Sequence, residues 1–305
     1  MKKRFRKENS FSFFFIEAVV WHASLAVLSF PGFVLPVICA PFSDRFIKAV
    51  NQLLLTMKKV LIVNDLHCGS ICGLGVPAFI GSANYRLPFT ETNQFLYDKW
   101  MEMVRDVGQV DLVIANGDLV EGLNKKKNGE EIITPYITDQ CSMAVELLKR
   151  INSKNYAFTG GSPYHTGQDI NGDQEVCARI GGTWFGPDGK IELEGIKIHV
   201  RHVNSYSKVP YARATSLLFE QCIAAIEGDS TDIFIRSHTH KFVYAGINGR
   251  LSMTTPCWKA SDTYIRHKSI EKTDCGWILI TIDGFNYSWQ HHVFTAPDTT
   301  PVLKI

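Results

Sequence analysis

Six side chains of two types stand where their spacing could hold metal ions. Asp65 and His67 lie two residues apart in VNDLHCGS (63–70), and Asp118 closes the NGD of NGDLVEG (116–122). His202 stands near the end of KIHVRHV (197–203), and His238 and His240 lie two apart in SHTHK (237–241). Each follows a short apolar run, so each falls at the carboxyl end of a strand, the edge where open α/β sheets bind ligands. Beyond a strand, residues i and i+2 share a face, so D-x-H and H-x-H would each aim two donors the same way. Hard carboxylates mixed with borderline imidazoles suit Mn, Fe, Zn or Ni better than Ca or Mg alone. Asp118 has two oxygens and can bridge two ions. Two divalent ions about 3.5–4 Å apart clamp a phosphate and hold a water between them that loses its proton near neutral pH.

The elements that must carry these residues are legible as runs. KVLIVND (59–65) and VDLVIANGD (110–118) read as strands buried on both faces, and NYAFTGG (155–161) as a third that ends in glycines. Helices are expected over 91–107, 138–151, 171–180 and 212–228, the last closed by Gly228. TDIFIRS (231–237) is another buried strand. Hairpins are expected over 190–203, 242–255 and 276–294, turning at Glu194-Gly195, Asn248-Gly249 and Asp283-Gly284. Strand and helix alternate first and hairpins follow. This pattern predicts an α/β fold in which two mixed β-sheets pack face to face, flanked by helices, as a four-layer αββα sandwich.

Bulk properties exclude some functions. At 305 residues, with 45% apolar and 20% charged side chains, the chain is an ordinary globular protein rather than a disordered one. Its net charge of +2 is too small to imply a nucleic-acid footprint. Residues 1–56 hold seven of the 32 Lys/Arg and three of the 30 Asp/Glu, which leaves the body near neutral. The eight cysteines contain no C-x-x-C pair, so they read as reduced, buried residues of a cytoplasmic protein. Residues 1–56 are an N-terminal hydrophobic extension, set apart from a domain over 57–305. A basic start and an apolar stretch over 11–43 suit a membrane anchor, but Glu17, His22, Pro31 and Pro36 interrupt it. An upstream start to a protein that begins at Met57, or a helical extension, are the other readings. A membrane partner follows only if 11–43 is an anchor.

VNDLHCGS, NGDLVEG and SHTHK, in this order and at these intervals, resemble the calcineurin-like metallophosphoesterase superfamily over about residues 59–258, including GRLSMTTPCW (249–258). The resemblance implies hydrolysis of phosphoric esters at a dinuclear centre, with a hydroxide bridging the two ions as nucleophile. It assigns Asp65, His67, Asp118 and His240 to one ion, and Asp118, His202 and His238 to the other. The chain departs from the family after the third strand. The usual G-N-H is replaced by TGGSPYHTG (159–167), as in a phage-type variant. Ser162 stands where the Asn ligand would be, and His165 is expected to take the acid or phosphate-contact role. The missing Asn also admits a non-catalytic binding scaffold on the same fold with an impaired second metal site.

The remaining candidates have plainer readings. His22, His199, His267, His291 and His292 read as structural, although His199 rivals His202 for the lone-histidine position. Asn64 and Asn116 are either donors that orient a ligand or turn residues. Arg213 is either a phosphate contact or a helix-start surface residue. Trp258 reads as core. The substrate is a phosphoester, either a phosphomonoester (phosphatase) or a nucleic acid (nuclease). Lys125 to Lys127 and Tyr206 to Lys208 are the residues available to a strand.

Overall fold

KVLIV enters the structure as a strand whose alternate side chains serve two different cores. In this computed structural model, residues 57–125, 128–166, 171–268 and 271–297 are described. The expectations for residues 1–56, and for Lys126 and Lys127, lie outside them. In chain order the elements are β1 (Lys58–Val63), α1 (Glu91–Val107), β2 (Gln109–Val110), β3 (Leu112–Asn116), α2 (Ile137–Lys149), β4 (Asn152–Ser153) and β5 (Tyr156–Thr159). Next come α3 (Pro163–Thr166), α4 (Gly172–Ile180), β6 (Thr183–Trp184), β7 (Asp188–Leu193), β8 (Ile196–Arg201), a 3-10 turn (Pro210–Ala212) and α5 (Thr215–Ile226). β9 (Ile233–Arg236), β10 (Val243–Ile247), β11 (Arg250–Thr254), α6 (Thr263–Lys268), β12 (Cys275–Asp283) and β13 (Asn286–Phe294) complete the described chain.

Two mixed sheets form the centre. One has the order β13-β12-β1-β3-β5-β6, with β1, β3, β5 and β6 parallel and the β12–β13 hairpin antiparallel at one side. The other has the order β10-β11-β9-β8-β7, with parallel β11–β9–β8 between two antiparallel edges. Val60 and Ile62 of β1 join Ile114, Ile198, Val200, Ile233, Ile235 and Ile280 in the core between the sheets. Leu61 and Val63 point the other way, against Leu96, Trp100 and Met103 of α1, Leu147 and Leu148 of α2, and Val176 of α4. On the outer side of the second sheet, α5 packs on β10 and β11. The αββα sandwich expected from sequence is the fold found.

Local differences have local causes. The strand expected over 110–118 breaks at Asp111, whose carboxylate accepts the Lys59 N–H at 2.9 Å and the Lys58 ammonium at 3.3 Å. β2 leaves the main sheet and pairs with β4 in a separate two-stranded sheet. The helix expected from 212 starts at Thr215, because Pro210 initiates a 3-10 turn in its place. Two hairpins turn as expected, with both Glu194-Gly195 and Asn248-Gly249 at positive φ. The third turns one residue later, at Gly284-Phe285, since Asp283 pairs with Asn286. Among the described residues no helix is long and apolar enough to cross a membrane, and the seven described cysteines are unpaired.

One buried ion pair ties α5 to the strand that ends at the H-x-H motif. The Arg236 guanidinium, fully buried, donates to Glu220 of α5 at 2.7–3.2 Å and to the carbonyls of Ile235 and His199 at 2.7 and 3.0 Å. Removing the guanidinium leaves Glu220 with Arg201, 2.6 Å away, but deprives the Ile235 and His199 carbonyls of a donor. Arg236→Ala is expected to lower stability by about 1–3 kcal/mol in urea unfolding; a loss under about 0.5 kcal/mol would show that the pair is dispensable.

Candidate metal centre

The two sheets are tied together beneath the site by a line of buried hydroxyls and amides. Thr159 at the end of β5 donates to Asn116 Oδ1 at 2.6 Å, and Asn116 Nδ2 donates to Ser237 Oγ at 2.6 Å. Ser237 Oγ and Thr255 Oγ1 are 2.9 Å apart, and Thr255 Oγ1 donates to Asn64 Oδ1 at 2.6 Å. Asn64 Nδ2 donates to Asp65 Oδ2 at 2.5 Å. Asn64 is therefore a donor to a candidate ligand, while the Asn116 side chain joins the strands and its backbone carbonyl meets the ring of another. Asn64 aims the Asp65 carboxylate, and the Asn116 carbonyl receives His202 Nδ1 at 2.6 Å.

The six residues converge, by a different route from the one the spacing suggested. An i, i+2 argument assumes extended backbone. Here Asp65, His67, Asp118, His238 and His240 all take left-handed φ, between 47° and 71°. For residues with a Cβ this conformation costs about 1–3 kcal/mol each and persists only where its surroundings enforce it. The left-handed turns bend the chain past each strand so that side chains gather instead of alternating.

Donor atoms of Asp65, His67 and His240 lie within 4.8 Å of one another, as do those of Asp118, His202 and His238, and those of His67, Asp118 and His165. The partners on the far side of each ring decide what faces inward. His67 Nδ1 lies 2.8 Å from the Glu121 carboxylate, so it carries the proton and leaves Nε2 as a lone pair. That lone pair looks at His240 Nε2 at 3.2 Å and Asp65 Oδ1 at 3.7 Å. His202 Nδ1 is committed to the Asn116 carbonyl, so its Nε2 faces Asp118 Oδ2 at 2.9 Å. Ring nitrogens thus meet carboxylate oxygens at two adjacent points, and once the rings are neutral all of them present lone pairs. Such a donor set fits divalent cations, which accept from all of them at once.

The electrostatics agree. Burial would raise Asp65 and Asp118, but the neighbouring imidazoles, His202 foremost, outweigh it and hold both carboxyls well below the usual range. Burial pulls His202 down, yet the Asp118 and Asp65 carboxylates lift it to about 10. His240 is lifted to about 9 against burial, by Cys257 and Asp65. Without a cation, the centre draws protons instead.

Several neighbours carry weight that the sequence reading missed. Glu121 orients His67 and receives Lys259 at 2.8 Å. Its signal was present in the motif, three residues after Asp118 in GDLVEG. Asp173 had no such signal. It starts α4, and its buried carboxylate accepts the N–H groups of Leu119 (2.9 Å), Gly161 (2.8 Å) and Asp118 (3.2 Å), holding two loops together. Burial and the Asp118 charge push Asp173 up to about 6.

Ser162 donates from its N–H to Asp118 Oδ1 at 2.7 Å, and its hydroxyl lies 3.2 Å from both Asp118 oxygens. His165 sits edge-on to His67 with ring centroids 4.5 Å apart, and its Nδ1–H donates to the Glu121 carbonyl at 2.7 Å. Burial, then His67, take it down to about 4, so its ring is neutral. His199 turns outward to Asp188 at 3.1 Å and has no place among these donors, while His202 does. Arg213 is paired with Glu271 and lies over the Tyr206 ring. Trp258 is buried among Trp100 and Trp277, and His291 and His292 stack on Phe242 and Trp277.

Gly161 explains why the third-strand loop is rich in glycine. A Cβ there would stand 2.1 Å from Asp118 Oδ1 and 2.3 Å from its backbone nitrogen. Gly161→Ala is expected to cost about 1–3 kcal/mol of stability and to displace Asp118. Thermal unfolding measures the first and divalent-ion titration the second; an alanine variant with unchanged melting temperature and affinity would refute the close approach.

No family model matches the chain, and no curated protein matches it. Solved structures similar to it include Vps29 from Chaetomium thermophilum, 11% identical over 79% of this chain and 100% of that one, with a TM-score of 0.44. An archaeal phosphodiesterase is 14% identical over 77% and 99%, at a TM-score of 0.41. Vps29 from Entamoeba histolytica, solved with zinc, is 13% identical over 77% and 98%, at 0.39. Likenesses this distant transfer no function. The resemblance to calcineurin-like metallophosphoesterases read from the motifs holds in the sandwich and in the strand ends from which D-x-H, GD, lone His and H-x-H emerge.

Proposed function

We propose that this protein hydrolyses phosphoric esters with two divalent metal ions. The observation that carries the reading is the meeting of carboxylate oxygens and imidazole nitrogens at two adjacent points, with the His67 and His202 rings each aimed by a partner on the far side. Asp65, His67, Asp118 and His240 would hold one ion, and Asp118, His202 and His238 the other, with Ser162 the nearest candidate for a further donor. When bound, the ions supply Lewis acidity, neutralising phosphoryl oxygens and acidifying water. Mn, Fe, Zn and Ni all suit the donors.

The protein's own groups supply position and proton handling. Asn64 and Asn116 hold Asp65 and His202 in their productive orientations. His165, with Nδ1–H spent on the Glu121 carbonyl, offers Nε2 to the substrate. Once phosphate charge raises its affinity for a proton, that atom can take one from solvent, donate it in a hydrogen bond to a phosphate oxygen, and pass it to the leaving oxygen. The near-neutral body favours a small ester or a lightly gripped strand over tight electrostatic binding of nucleic acid. We assign the activity to residues 57–305.

A non-catalytic scaffold is the second reading. It is favoured by the loop 159–167, where the Ser162 N–H and hydroxyl both turn to Asp118 and no Asn is present, and by His238, whose side chain is 43% exposed. Metal analysis separates the two readings. An enzyme should hold two ions per chain and turn over mono- or bis-nitrophenyl phosphate with added Mn2+. Asp118→Asn should then lose at least about a hundredfold in kcat. Equal turnover by the variant, or none by either protein, would sink the enzyme reading.

The pH dependence of metal uptake has a definite sign. His202 and His240, raised to about 10 and 9 before metal binds, each hold a proton at pH 7 that the ion must displace. Affinity for Mn2+ should therefore rise with pH from 6 to 9, with proton release visible by calorimetry in buffers of different ionisation heat. An affinity independent of pH across that window would remove these histidines from the ligand set.

A further inference from the structure

We infer that Lys259 is a positioning residue for the first half of the metal centre, acting on His67 through Glu121. The inference rests on His67 as a ligand. The Lys259 ammonium lies 2.8 and 3.1 Å from the two Glu121 oxygens and 3.5 Å from Asp262 Oδ2. Glu121 Oε2 lies 2.8 Å from His67 Nδ1. All three groups of this line are buried, with Lys259 at 3% exposure.

A lysine rarely leaves water unless its charge is paired. Here the ammonium is paired twice, and its backbone is held on both sides. The Trp258 N–H donates to the Asp65 carbonyl at 3.1 Å, and the Ala260 N–H to the Cys72 carbonyl at 2.8 Å. Nζ is therefore fixed relative to the D-x-H segment. Glu121 comes from the segment after Asp118, so the ammonium links 257–262 to 118–121 and, through Glu121 and His67, to 65–67. A carboxylate gripped at both oxygens cannot turn about its last torsion. It presents one lone pair to His67 Nδ1–H and so keeps Nε2 aimed at Asp65 and His240. Released from the lysine, the carboxylate can rotate and the imidazole loses its direction. Outer partners of this kind set ligand orientation, and their loss typically weakens metal binding about 10–100-fold.

The test compares the full chain with Lys259→Met, using Mn2+ alone and two readouts. The first is the imidazole 1H–15N spectrum without metal. The wild type should show His67 protonated at Nδ1 with a slowly exchanging proton, and Lys259→Met should lose that signature. The second is Mn2+ titration, where the variant should bind its tighter ion about 10–100-fold more weakly. An unchanged His67 spectrum or unchanged affinity in the variant overturns the inference. Should Lys259→Met not fold, Glu121→Gln/Lys259→Met is compared with Glu121→Gln. Equal affinity supports action through Glu121, and a further tenfold loss overturns it. If the wild type takes up no Mn2+, the metal-centre reading fails while the spectrum still decides the link.

Discussion

The structure turns on a line of hydrogen bonds that crosses the sandwich: Thr159, Asn116, Ser237, Thr255, Asn64 and Asp65. These groups lie at the ends of β5, β3, β9, β11 and β1, so they join the first sheet to the second where the apolar core stops. Buried polar groups cost several kcal/mol unless partnered. Because each member satisfies the next, one register of the two sheets is favoured and sliding them is penalised. That register sets Asp65 and Asp118, from one sheet, against His202, His238 and His240, from the other.

Strain is concentrated at the same edge. Five of the six candidate ligands take left-handed backbone, which the sheet interior would not tolerate. The bonds that hold them run between loops: Asp65 N–H to the Gly117 carbonyl, His67 N–H to the Asp118 carbonyl, and Ser237 N–H to the His202 carbonyl. Gly117 and Gly161 give the room in which the chains meet, since a Cβ on Gly117 would stand 2.6 Å from His202 Nδ1. Several neighbours hold each candidate ligand, the kind of support that preorganised metal ligation requires.

Charge balance completes the picture. Glu121 is drawn well below its ordinary range by Lys259 and His67 despite burial, so it is a permanent acceptor for His67. Asp173 answers three backbone donors instead of a cation. The centre is thus surrounded by charges whose partners are already assigned, while the carboxylates of Asp65 and Asp118, steadied by Asn64 and Ser162, face the imidazoles as the nearest groups able to carry positive charge.

The sequence by itself determined most of the longer strands, the helix over 91–107, the hairpin signals at 194–195 and 248–249, the sandwich class and the ordered motifs. Those are local matters of alternation, turn chemistry and residue type, which short windows carry. It also singled out His202 over His199, because strand-end position is a sequence property. Only the tertiary structure decided that Asn64 and Asn116 bear on candidate ligands, since their partners lie up to 192 residues away. The tertiary structure alone joined Glu121 to Lys259, 138 residues on, and made Asp173 the clasp of two loops. It also replaced the expected i, i+2 geometry with left-handed turns. Backbone strain of that kind is imposed by packing from distant segments, and no spacing between neighbouring residues encodes it.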